Sequence, residues 1–147
     1  MKPFSKRLNH FIDIWFAQNS EKFTVYKESQ FNFEDTDETF KLFTEHYKKY
    51  NTIPLWYDDN EDNIFGDTLI NAKFRAWHDY CHILLSCNFS LEGEIEVYTF
   101  QQAMLPDDWE YEKQLMYCEI VGQAEHYSSG GEKIKDQRTF TDNFLKK

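Results

Sequence analysis

The sequence predicts a mainly α-helical fold, a single-domain helical bundle with at most a small β-hairpin. Apolar residues recur at helical spacing along several long stretches. Glycine and proline are scarce, at 5 and 3 of 147 residues, and aromatic residues make up 18%. That balance suits a packed helical core and not a repeat array or a disordered chain.

The elements follow in order. Phe4, Leu8, Phe11, Ile12, Trp15 and Phe16 form an apolar stripe that predicts a helix from about Ser5 to Asn19. Phe23 to Phe33 is short, aromatic and partly alternating, a strand or an extended loop. Asp35 or Thr36 caps a second helix, carried by Phe40, Phe43 and Tyr47 to about Tyr50 and ended before Pro54. Asp67 caps a third, from about Thr68 to Cys87, with Phe74, Trp77, Cys81 and Leu84 as its core stripe and His78, His82 and Leu85 on the adjoining face. A short helix follows, ending near Leu105-Pro106. Asp107 or Asp108 caps a last strong helix, about Trp109 to Tyr127, terminated by Ser128-Ser129-Gly130-Gly131. Residues 1–131 read as one helical domain. Residues 132–147 read as a polar, partly ordered tail in which Phe140 and Phe144 could dock at helical spacing.

A formal charge of −10 argues against direct nucleic-acid binding, which depends on basic patches. It leaves plain solubility, or an acidic surface that meets a basic protein partner. No apolar run approaches the roughly 20 residues of a membrane span. The basic N-terminus is interrupted by Asn9, His10 and Asp13 and does not read as a signal peptide. Three cysteines without a CxxC pair predict free thiols and a reducing, cytoplasmic compartment. The acidic run Asp58 to Asn63 does not make a calcium loop, because its sixth and twelfth positions are Asn63 and Leu69 instead of glycine and glutamate.

His78-Asp79-Tyr80-Cys81-His82 carries the chemistry. Residues at i and i+4 share a helix face, so His78 and His82 can direct two neutral nitrogens at one transition-metal ion. The segment has the form H-D-x-x-H, where zinc peptidases have H-E-x-x-H; the shorter Asp79 sits further from any reacting water, which weakens a peptidase reading. Glu119 is the leading third ligand, since a carboxylate among apolar neighbours needs a compensating charge. Gln123, one turn on, could position water or substrate. His126 could add a nitrogen, or interact with the helix C-terminus. Glu94 is the one of Glu92, Glu94 and Glu96 considered for the interior, and Arg75 could pair with a buried carboxylate or hold an anionic substrate. The bland alternative is a hydrogen-bond network of His78, His82, Arg75, Glu119 and Gln123 that fixes helix register.

Asn71-Ala72-Lys73-Phe74-Arg75, His78-Asp79, His82, Phe89, Gly93-Glu94 and Glu119-x-x-Gly122-Gln123 together resemble a family of uncharacterised bacteriophage proteins. Its pattern is F-R-x-x-H-D with a nearby histidine, then F-x-x-x-G-E, then E-x-x-G-Q. The resemblance covers about a third of the chain. It implies no activity, only that His78, Asp79, His82, Glu94, Glu119 and Gln123 form one polar centre, and that the source is a phage.

The expectation is therefore a divalent-metal protein, with zinc, iron or manganese on His78, His82 and Glu119 and with His126 as a further candidate. Asp79 and Gln123 are the candidate catalytic groups of metal-assisted hydrolysis. The alternative is a small acidic interaction protein, an inhibitor of a host enzyme or an accessory structural component acting in the host cytoplasm. Its polar centre would be purely structural.

Overall fold

Ser5 opens helix α1 (Lys6–Asn19) by accepting the Leu8 N–H at 3.2 Å through its hydroxyl. The same hydroxyl donates to Glu112 at 2.6 Å and Arg7 meets that carboxylate at 2.7 Å, which ties the start of the chain to a helix more than a hundred residues later. The computed structural model describes residues 5–27, 36–57, 63–134 and 136–146.

After α1, a 3-10 turn (Ser20–Lys22) leads into strand β1 (Phe23–Tyr26), then helix α2 (Thr36–Tyr50) and strand β2 (Ile53–Trp56). The strands pair in parallel, Phe23 opposite Ile53 and Tyr26 opposite Trp56. The β element is thus a strand–helix–strand crossover and not a hairpin. Asn51, in the left-handed region at φ 58°, turns the chain out of α2. Of the two residues considered as the α2 cap, Asp35 lies outside the described residues, as do Asp58 to Asp62 of the acidic run.

Helix α3 (Thr68–Leu85) is the central element and packs against α1, β2 and helix α4 (Leu91–Gln102). Asp67 caps it by accepting the Leu69 and Ile70 N–H groups. Phe74, Trp77 and Cys81 are buried as expected, whereas Leu84 is 54% exposed and belongs to no core stripe. Helix α5 (Glu110–Tyr117), a π turn (Cys118–Gly122) and α6 (Gln123–Ser128) run on without a break. This matches the long helix expected there, although Trp109 and not an aspartate occupies the cap position. Helix α7 (Gln137–Leu145) lies in the segment read as a tail. Its Thr141 is fully buried, and Phe144 packs against Gly122, where an added Cβ would meet the ring at 3.2 Å.

Among the described residues, two apolar clusters fill the interior. One joins α1, α3, α4 and α5 around Trp77; the other joins β1, β2 and α2 to Ala72 and Ala76 of α3. Trp77 is fully buried, with Phe11, Trp15 and Phe74 rings 5.4 to 6.1 Å from it. Arg75 donates to the Trp56 carbonyl at 2.7 Å and fixes the end of β2 against α3. Among the described residues, no helix is long and apolar enough to cross a membrane.

Candidate metal centre

α3 presents His78 and His82 one turn apart, and their Nε2 atoms lie 3.0 Å from each other. The third member comes from the first turn of α4. Ser90 caps that helix through the Gly93 N–H, and Glu94 follows directly. Gly93 presses against Asn88, so closely that a Cβ would collide with the Asn88 carbonyl. The tight turn swings Glu94 onto α3. One carboxylate oxygen is 2.6 Å from His82 Nε2, the other 3.0 Å from His78 Nε2. Glu92 and Glu96 are exposed, so of the three glutamates Glu94 is the one that points inward.

Both rings are held from behind. His82 Nδ1 is 2.8 Å from the Cys87 carbonyl, and His78 Nδ1 is 2.9 Å from Gln101 Oε1. These partners only accept, so each Nδ1 carries a hydrogen. In a neutral imidazole, Nε2 then bears the lone pair, the form in which histidine ligates metals. Two such nitrogens facing a carboxylate repel one another unless a cation sits among them.

In the metal-free protein that cation is a proton. Burial alone would depress the His78 pKa, but the adjacent Glu94 carboxylate, with help from Asp79 and the bond to Gln101, pushes it up to about 9. Burial likewise opposes ionisation of Glu94, yet the two histidines bring it down to about 2. One donor atom from each of His78, His82 and Glu94 lies within 4.8 Å of the others, close enough to hold one metal ion. Two imidazoles and one carboxylate suit zinc, iron or manganese better than calcium or magnesium.

Glu119, expected as the third ligand, lies outside that group and lines the same cleft. It sits on the π turn, where Gln123 Nε2 donates to its Oε2 at 2.8 Å. Burial pushes its carboxyl up to about 7, against the pull of His78. Asp79 also lines the cleft; burial raises its pKa, and His78, His82 and Arg75 pull the other way. Arg75 stacks over Trp56 at 5.2 Å on the same wall. His126 is elsewhere: its Nε2 meets the Glu132 carbonyl at 2.7 Å and its ring packs on Gly131 and Phe140.

The cleft has a volume of about 810 Å³, with aromatic walls from Phe43, Trp56, Phe74 and Phe89 beside the polar centre. That is within the usual range for a small-molecule site. Sequence reasoning overlooked Gln101 and the Cys87 carbonyl. The seven-residue spacing of Glu94 and Gln101, two turns on one helix face, is the signal that could have found the first; nothing in the sequence marks a backbone carbonyl. Comparison with family models, with curated proteins and with solved structures gives no match to this chain.

Proposed function

We propose that this protein binds one divalent transition-metal ion through His78 Nε2, His82 Nε2 and the Glu94 carboxylate, and hydrolyses a substrate seated in the adjoining cleft. One observation carries the reading. Both Nδ1 atoms face acceptors, so both Nε2 lone pairs converge on a carboxylate where only a cation relieves their repulsion. Two histidines and a glutamate with an open position form a ligand set used by catalytic zinc.

A divalent ion held there would supply Lewis-acid polarisation of a substrate carbonyl or phosphoryl oxygen. The chain's own groups do the rest. Glu119, with its pKa near 7, exchanges a proton at neutral pH, and Gln123 orients its carboxylate. Asp79 supplies negative charge beside His78, and the aromatic walls exclude water from bound substrate. The phage source belongs to the same proposal and rests on the ordered residue blocks from Asn71 to Gln123.

Metal analysis of protein purified without a nickel resin tests the first half. Near-stoichiometric zinc, iron or manganese is expected, lost in His82→Ala and Glu94→Gln. Metal below one-tenth of an equivalent, with no uptake on titration, overturns it. For the second half, an ester, amide and phosphoester panel should show turnover that falls at least a hundredfold in Glu119→Gln while metal binding is kept.

A small acidic interaction protein is the competing reading. It is favoured by a centre whose ring nitrogens and carboxylate are all hydrogen-bonded as they stand, and by a charge of −10. It predicts no metal uptake, and a complex with a basic host protein that weakens steeply with salt.

A further inference from the structure

Gln101 lies seven residues beyond Glu94, so the two side chains leave α4 from one face. The His78 ring is held between them, with Nε2 3.0 Å from Glu94 Oε2 and Nδ1 2.9 Å from Gln101 Oε1. One helix thus grips one imidazole at both nitrogens. Gln101 is fully buried, and its Nε2 has no hydrogen-bond partner. A buried NH2 without a partner is costly, and a leucine or methionine of similar size would avoid that cost. What the amide offers in return is its carbonyl, directed at His78.

We propose that Gln101 is a positioning residue of the metal centre, fixing His78 in the Nδ1–H form so that its Nε2 lone pair points at the ion shared with His82 and Glu94. The inference rests on the metal-binding reading. It also gives a reason for an amide where many histidine ligands have a carboxylate behind them. A neutral acceptor orients the ring without adding a second buried negative charge beside Glu94, and it pushes less electron density onto the ring. The ion is then left more electrophilic, as a hydrolytic centre requires.

The test is zinc titration of the full chain against a chromophoric chelator, in wild type, Gln101→Leu and Gln101→Glu, with nitrogen-15 NMR of the zinc-loaded wild-type histidines. Gln101→Leu should bind zinc about 10- to 100-fold more weakly. Gln101→Glu, which restores the acceptor, should bind at least as tightly as wild type. The His78 signals should show a protonated Nδ1. A role in packing alone would move neither the tautomer nor the rescue. If Gln101→Leu does not fold, the glutamate variant and the tautomer decide. Zinc affinity in Gln101→Leu within twofold of wild type, or an unprotonated Nδ1, overturns the inference and leaves the metal reading standing. A wild type that takes up no zinc overturns both.

Discussion

His82 Nδ1 meets the carbonyl oxygen of Cys87, five residues further along, at 2.8 Å. The contact exists because α3 ends in a left-handed cap at Ser86, φ 55° and ψ 36°, which folds the chain back so that the Cys87 N–H also reaches the His82 carbonyl. The helix terminus and the ring orientation are thus one feature.

Ser86 occupies a region that disfavours side chains with a Cβ. Ser86→Gly should therefore stabilise the protein by about 0.5–1 kcal/mol, after allowing for the looser unfolded chain. Urea unfolding measures it, and zinc affinity should not change. A destabilised variant would show that the serine hydroxyl, not the backbone, sets the cap.

Glu94→Gln keeps the shape of the side chain and removes its charge. The chief influence raising the His78 pKa then disappears while burial remains. His78 should titrate well below the value of about 9 that it has in the metal-free wild type. Proton NMR of the His78 ring reads the difference; equal values in both would sink the assigned ion pair.

Stability of the metal-free protein should depend on pH in a defined way. His78, raised from 6.5 to about 9, lends stability that is complete below pH 6.5 and gone above about 9. Glu94, lowered from 4.5 to about 2, lends stability present above pH 4.5 and lost on acidification towards 2. The two are halves of one pair and count once, at about 3 kcal/mol. Glu119, raised from 4.5 to about 7, favours the folded chain at low pH, and that advantage is lost between these values as pH rises. Urea midpoints in a chelator should fall from pH 4.5 to 9, and Glu119→Gln should flatten the portion below 7. A level profile between pH 6.5 and 9 would contradict the His78 assignment.

At Gly93 a methyl group has nowhere to go, since it meets the backbone carbonyl of Asn88. Gly93→Ala should cost about 1–3 kcal/mol through displacement of the α4 start. It should also weaken zinc binding by an order of magnitude or more, because Glu94 moves with that turn. A calorimetric melt and a zinc titration give the two numbers. A loss of stability with unaltered zinc affinity would separate the turn from the centre.

The helices were legible in the sequence because their apolar spacing and caps are local: Asp67 caps α3 where expected, and His78 and His82 share a face. Strand β2 was not, because four residues containing Pro54 carry little strand signal and their pairing partner lies thirty residues away. The third member of the centre was misplaced for a related reason. Glu119 has the apolar neighbours of a buried ligand, but Glu94 is brought in by Gly93 and the left-handed Ser86, and neither position advertises its backbone geometry. Leu84 was assigned to the core on helical phase alone, although among the described residues it stays 54% exposed.

Among the described residues, the polar groups hydrogen-bonded at the centre, His78, His82, Glu94, Gln101 and the Cys87 carbonyl, come from residues 78–101, two consecutive helices and the turn between them. The chain separations are short, so the centre closes without waiting for the β1–β2 crossover, whose loop is the slower to form. An ion captured by this hairpin would act as a folding nucleus. Zinc should then slow amide hydrogen exchange in α3 and α4 more than in α1 or α2.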